Sequence, residues 1–457
     1  MLLGKAFAAF IKESPVSVMI SGTLERILRP QAVDQVFCDH AVQGYLKELT
    51  FSECVRIMSE VAFKESPSVG AYYQAHQDDI PVSRQAVYDK LKRMELQVPA
   101  ALVHFSAQQL LPCVKAMPAQ SAALLPRYRV RALDGNHLTG TEHRIAELRR
   151  FRSAALPGQS LVFYDPQYGL ITDVIPCEDA HAQERSLLKQ ALTCIGASDC
   201  VLADRNFCTS GLLFGIRRQR AFFVIRQHAS TLCCRLKGKR RLAGQDGRER
   251  DICEQAICLT DPETGETFTV RRITIILDKP DKDGQTELHI LTNLPLQAAS
   301  AVRVADLYAD RWTIETGFQQ LTDDLRCEID TLGYPKAALF GFCVACVAYN
   351  AVSAVKCAIR AAQGKSYVKD ELSMYYLTLE VAQVTAGMRI AISPAAWEVF
   401  HRMPAKKFAA VLIELAQHID PRKYAKHKRG PKMKQPKKES GKRIHHVSTA
   451  RILALRK

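Results

Sequence analysis

Over the first 126 residues apolar positions return every three or four places, in segments such as DQVFCDHAVQGYLKELTF and FSECVRIMSEVAFKES. That period buries one face of a helix, and it predicts an α-helical domain over residues 1–126. Within it, PVSRQAVYDKLKRM from Pro81 to Met94 supplies Ser83 as an N-cap and Val87 and Leu91 as inward positions. Arg84, Gln85, Tyr88, Lys92 and Arg93 make the outer face. A helix of that kind can enter a DNA major groove as the second helix of a helix-turn-helix. An ordinary solvated helix carries the same pattern, so both readings stand.

The period shortens at Tyr128. YRVRALDG, LVFYD and GLITDVIP are short runs rich in β-branched and aromatic residues, each ending in a turn signal. AHAQERSLLKQAL and TSGLLFGIRRQ read as helices between the strands CVLADRNF and AFFVIRQ, an alternation that implies a mixed α/β sheet over residues 127–226. From 227 to 286 the helical period disappears. Asp-Gly turns in RRLAGQDGRERD and DKPDKDGQ flank the strand TFTVRRITIIL and predict an all-β insertion. ELHILTNL resumes the core in a segment of residues 287–336, and a C-terminal helical region follows over 337–420. There Ser393-Pro394 reads as the N-cap and first residue of the last long helix. The apolar run 337–355 is nearly long enough to span a bilayer, but Gly341, Asn350, Ser353 and many alanines favour a close-packed buried helix.

Composition narrows the class. With 457 residues, 47% hydrophobic and 24% charged, the chain is neither a small stapled scaffold nor wholly disordered. The net charge of +16 is concentrated at one end: residues 421–457 hold 14 Lys and Arg against one acid, Glu439. Gly430, Pro431 and Pro436, with almost nothing apolar before Val447, give that segment no means to bury a core, so it reads as a flexible basic tail. A polyanion is its expected partner, nucleic acid before an anionic membrane surface. MLLGKAFAAFIKESP lacks the long apolar stretch of a secretory signal, and the fifteen cysteines are then expected as reduced, mostly buried thiols in a cytoplasmic protein. Cys343 and Cys346 lie inside the apolar run and read as packing, while Cys233, Cys234, Cys253 and Cys258 fit no common zinc spacing.

Three acids stand out by position. Asp134 closes the run from Tyr128 to Leu133, sharing a face with Val130 and Ala132, and Asp204 follows Cys200-Val201-Leu202-Ala203. Each is a carboxylate at the exit of an apolar strand, the edge where α/β proteins place their sites, although a strand-end Asp also commonly caps the next helix. Glu315 lies in YADRWTIETGFQQL, where helical spacing sets Tyr308, Arg311, Glu315 and Phe318 on one stripe. An intrahelical pair of Glu315 with Arg311 is the plainer alternative. Three carboxylates from two strand ends and a helix can hold two hard divalent ions about 3.5–4 Å apart, Mg²⁺ or Mn²⁺, for phosphodiester cleavage and strand transfer. Arg311 would offer phosphate a planar fork. Trp312, at a neighbouring helical angle, reads as core before base-stacking platform. The basic run from Arg235 to Arg241 suits either DNA or a solvated hairpin.

The ordered set DGNHL, ADRNF and, after a β-rich gap, Y-x2-R-x3-E resembles the bacterial DDE insertion-sequence transposases, whose RNase H-like core is interrupted by a β-strand insertion before the Glu helix. The resemblance runs from about Leu133 to Leu325. It implies an α/β RNase H-like mixed sheet with an all-β insertion, an N-terminal helical DNA-binding domain and C-terminal helices. It further implies that Asp134, Asp204 and Glu315 bind two Mg²⁺ or Mn²⁺ ions, that Tyr308 and Arg311 contact DNA near the cleaved end, and that Arg205 binds phosphate. Partners implied are terminal inverted repeats and target DNA, bound by a homodimer in the bacterial nucleoid, with no membrane. Where the family continues x6-K after the Glu, this chain has Thr322, and Arg326 one turn on is a candidate replacement. An RNase H-like nuclease or junction resolvase without strand transfer, or a non-catalytic regulator derived from a transposase, would share much of this pattern.

Overall fold

A computed structural model describes residues 3–43, 48–118, 123–228, 232–281, 284–363, 372–426 and 447–455. The strands are β1 Arg129–His137, β2 Ala155–Leu156, β3 Gln159–Asp165, β4 Leu170–Cys177, β5 Asp199–Ala203, β6 Phe222–Arg226, β7 Cys233–Gln245, β8 Asp251–Thr260, β9 Thr267–Ile276, β10 Glu287–Thr292 and β11 Val447–Ser448. Nine form one sheet in the order β4-β3-β1-β5-β6-β10-β9-β8-β7, and β2 pairs with β11. β3 runs antiparallel to both of its neighbours, β1 and β4, while β1, β5 and β6 run parallel. This is the RNase H-like mixed sheet expected from the sequence. The all-β segment continues it, because β10 pairs β6 on one side and β9 on the other, so the hairpins β9-β8-β7 lengthen the same sheet.

Turn chemistry explains those hairpins. The Asp246 carboxylate accepts from the amides of Arg248 and Arg250 at 2.9 and 3.0 Å, closing the β7–β8 turn. Between β8 and β9 the turn uses Asp261 and Gly265, the latter at φ +69°. β7 is the edge strand, and it leaves Leu236 and Leu242 exposed among its cations.

Alternation along β1 divides the core in two. Val130 and Ala132 face a large helical layer, while Leu133 joins Phe163, Leu187, Val201, Phe207 and Leu213 on the other face. At the centre of the helical layer is the helix Pro335–Gln363, packed against the early helices Pro15–Ile27, Phe51–Ala62 and Gln97–Lys115 and the late helix Ala405–Ala416. First and last helices therefore share one core. The central helix is apolar enough to cross a bilayer, but its apolar window is wholly buried inside the protein. Asn350 shows why it carries an amide: its Oδ1 accepts from the Ile171 N–H at 2.7 Å and its Nδ2 donates to the Ile171 carbonyl at 2.8 Å. Both belong to edge strand β4, whose outer backbone groups would otherwise be buried unpaired.

Ser393-Pro394 does begin a helix, but it is only Pro394–Trp397; the longer Ala405–Ala416 starts afresh after Pro404. The cysteines are all free thiols, with Cys343 and Cys346 fully buried. Of the basic tail, residues 427–446 lie outside the described residues.

Candidate active site

Asp134 and Asp204 reach the site on neighbouring parallel strands. The register pairs Leu133 with Ala203, so each aspartate is the next residue beyond that pair, on strands about 4.8 Å apart. Asp134 Oδ1 accepts from the Gly135 amide at 2.9 Å. Asp204 caps the short turn Arg205–Phe207, its Oδ1 accepting from the Asn206 amide at 2.7 Å. The capping role is thus real for Asp204, and it fixes the carboxylate at the sheet edge.

Glu315 arrives from the helical layer. The sequence stripe from Tyr308 to Phe318 is not one continuous helix: Ala301–Ala309 ends, residues 310 and 311 form a turn, and Trp312–Asp323 begins. Thr313 is the local cause, its hydroxyl and amide both donating to the Asp310 carbonyl, at 2.7 and 3.1 Å. Arg311 keeps helical angles at the junction, so its pairing with Glu315 four residues on survives the break. That pairing is half of a fork: Arg311 donates to Asp134 Oδ2 at 2.8 Å and to Glu315 Oε1 at 3.0 Å. Arg311 is 7% exposed, and its guanidinium stands 5.9 Å from the ring of Tyr308 and 5.4 Å from that of Trp312.

The break also rotates Trp312 outward. It is 61% exposed, contrary to the core position expected from helical spacing. Beside it, a cavity of about 230 Å³ is lined by Tyr168, Thr316, Gln320, Lys356 and Arg360 among others.

Electrostatics bind the acids into one unit. Burial pushes the Asp134 carboxyl up to about 6; Arg311 and the Gly135 amide oppose the rise, and the charges of Asp204 and Glu315 add to it. Burial would lower the Arg311 pKa, but Tyr308, Asp134, Glu315 and Asp204 outweigh it and hold the group above its usual value. Burial likewise raises the Tyr308 phenol. Among the described residues no three His, Cys, Asp or Glu side chains gather closely enough to chelate an ion. A fixed cation, Arg311, occupies the space between two of the acids. The donors are nevertheless all carboxylate oxygens, the hard set that suits Mg²⁺ or Mn²⁺.

The remaining sequence candidates fall at varying distances from this centre. Arg205 follows Asp204 in the same turn, half-buried. Thr322 is exposed and its hydroxyl donates to the Phe318 carbonyl at 3.1 Å. Arg326 donates to the Pro67 carbonyl, a contact with the N-terminal helices. Far along the chain, Ser83 caps the helix Arg84–Lys92 as its sequence indicates, with Val87 and Leu91 buried. Arg84 and Gln85 are exposed, and Lys92 pairs with Asp89 at 2.8 Å.

Sequence reading missed Glu184. It opens the short turn Glu184–Leu187 and lies against Gly135, where a Cβ on the glycine would come within 1.8 Å of Glu184 Oε1. Burial and then the Asp204 charge raise its pKa, against His137 and a hydrogen bond with Asn206. The only signal in the sequence was an acid at the start of the helix-like segment that precedes ADRNF.

A family model described as a transposase DDE domain matches residues 125–351. No curated protein matches the chain. Among solved structures the chain is similar to one described as a cryo-EM structure of the piggyBac transposase synaptic complex with hairpin DNA, at TM-score 0.35 and 9% identity, covering 90% of this chain and 79% of that one. The family match spans the sheet, its β extension and the Glu315 helix: the chain belongs to the DDE transposases and is a DNA transposase.

Proposed function

We propose that the chain cuts and rejoins DNA at the ends of its own bacterial insertion sequence by two-metal-ion phosphoryl transfer, with Asp134, Asp204 and Glu315 as the cation ligands. The observation that carries this reading is the Arg311 fork, which ties acids 181 residues apart in sequence, Asp134 and Glu315, to one guanidinium beside the strand end that bears Asp204. Bound Mg²⁺ or Mn²⁺ would make an attacking water or 3′-hydroxyl acidic and neutralise the leaving oxygen. Asp134 and Asp204 orient the edge that faces the scissile phosphate. Arg311 exchanges its carboxylates for phosphate oxygens when DNA enters, Tyr308 packs the guanidinium in place, and Arg205 holds a neighbouring phosphate. Residues 1–126 bind the terminal inverted repeats, with Arg84, Gln85 and Lys92 toward the groove. Residues 127–226 and 287–336 form the catalytic core around the insertion of 227–286, and helices of 337–420 support it. The tail of 421–457 adds non-specific affinity, and a homodimer in the cytoplasm, on nucleoid DNA, brings two ends together.

The test is incubation of the full chain with Mg²⁺ and DNA carrying the element's own ends, scoring cuts and joins. Asp134→Ala, Asp204→Ala and Glu315→Ala should each abolish cutting while DNA binding persists. Full cutting by any of them removes that residue from the site, and cuts without joins leave a nuclease.

A further inference from the structure

We propose that Glu184 is a fourth carboxylate of the cation site, working with Asp204 on the face of the sheet opposite Glu315. The inference rests on the metal-dependent reading above and adds a residue to it.

Gly135 is the first observation. A side chain there would overlap Glu184, its Cβ falling 1.8 Å from Oε1 and 2.7 Å from Cδ, so the absence of a side chain at 135 is what admits the carboxylate to the strand edge. The approach is anchored. Leu187, the last residue of the turn Glu184–Leu187, and Leu188 after it are buried with Leu133 and Phe207, which fixes the turn on the Leu133 face of β1. By strand alternation Gly135 shares that face, while Asp134 shares the face of Ala132, from which Arg311 and Glu315 approach. Acids therefore reach the edge from both faces, with Asp204 between them at the end of β5.

Charge is the second observation. The turn Glu184–Leu187 packs against the turn Arg205–Phe207 that Asp204 caps, which brings two like charges together, with His137 and a hydrogen bond to Asn206 as the groups that offset Glu184. On the other face Arg311 supplies a permanent cation to Asp134 and Glu315. The guanidinium of Arg185, adjacent in sequence to Glu184, donates instead to the Asn206 carbonyl at 3.0 Å. Two carboxylates held together by packed backbone repel unless a cation joins them, and oxygen donors of this kind favour a hard divalent ion.

The experiment is calorimetric titration of Mn²⁺ into the full chain, with and without uncleavable end DNA. Glu184→Gln should weaken Mn²⁺ binding at least tenfold, as Asp204→Asn does, while Glu142→Gln on the surface changes nothing. Gly135→Ala should weaken it comparably by displacing the carboxylate, and should add nothing in a Glu184→Ala background, so the proposal does not depend on one variant folding. Wild-type binding by both Glu184→Gln and Gly135→Ala, with binding lost in Asp204→Asn, overturns the role of Glu184 and leaves the three-acid site standing. Undiminished binding in Asp134→Asn and Asp204→Asn, or no Mn²⁺ binding by the wild-type chain, overturns the three-acid site itself.

Discussion

Arg311 donates to Asp134 across 177 residues of chain, at 2.8 Å, and the two side chains are 9% and 19% exposed. A pair so far apart in sequence and so withdrawn from water is made by the fold, and it gives the site a resident cation. Asp134 pays for its burial with a carboxyl pushed up to about 6, and Arg311, with the Gly135 amide, keeps it from rising further.

A pH dependence follows with a definite sign. A cation ligand must shed its proton, so Mn²⁺ affinity should be flat above pH 7 and fall by roughly tenfold per unit below the Asp134 pKa of about 6. Arg311→Gln removes the charge that lowers this pKa, and the inflection should move to higher pH. Titration of Mn²⁺ binding between about pH 5 and pH 8 reads both curves. Coincident inflections in wild type and Arg311→Gln would mean that Arg311 does not compensate Asp134.

Behind the site, Arg131 is 1% exposed and donates to Asp173 at 2.8 Å, to Asp199 at 2.6 Å and to the Cys194 carbonyl at 2.5 Å. It ties β1, which carries Asp134, to the start of β5, which leads to Asp204. Arg131→Ala takes the guanidinium from two buried carboxylates, leaving Asp173 with His104 and Asp199 with the Gly196 amide, and breaking buried pairs of this kind costs about 3–5 kcal/mol. Denaturant unfolding should show that loss. A loss under about 1 kcal/mol would mean the two acids find other partners.

Trp312 separates recognition from folding. Its ring is largely in water, so Trp312→Ala should leave thermal stability nearly unchanged. If the ring stacks on a base of the DNA end, the same change weakens single-stranded or distorted end DNA by about 1–3 kcal/mol, close to tenfold or more in Kd. Binding measured by fluorescence anisotropy at fixed salt decides, and equal affinities make Trp312 a bystander.

What the sequence made legible was whatever depended on local period. Asp204 could be found because the strand's end and the following turn are written in adjacent residues at Ala203-Asp204, whereas Asp134 was found by alternation alone: its strand does not close there but runs on to His137, paired with β3. Glu184 could not, because its place is set by Gly135, 49 positions earlier, and by hydrophobic anchors on another strand. Trp312 was misjudged for a different reason. Thr313 takes the Asp310 carbonyl and interrupts the helix, so an angle extrapolated from Tyr308 pointed the indole inward. The shared core of first and last helices was equally hidden: amphipathic period says that a helix has a buried face, and nothing about which distant helix covers it.

The charge of the basic segment offers a further test. Residues 427–446 contain eight Lys and Arg, whereas Val447–Ser448 pairs with Ala155–Leu156 and Arg451 bonds Asp179 at 2.6 Å. Truncation after Pro421 would remove those docked residues along with the charge, so replacing the eight cations by Gln is the cleaner change. Each phosphate that a cation neutralises contributes about −0.9 to the slope of log affinity against log salt. If the segment lies along DNA, the slope for non-specific duplex should become shallower by several of those steps, up to about 7 when all eight engage. Cutting at saturating DNA should be unaffected, since the acids, Arg311 and Tyr308 all lie elsewhere in the chain. An unchanged slope would place the segment off the DNA, and the affinity of the wild-type chain would then have to come from cations of the folded body such as those of β7.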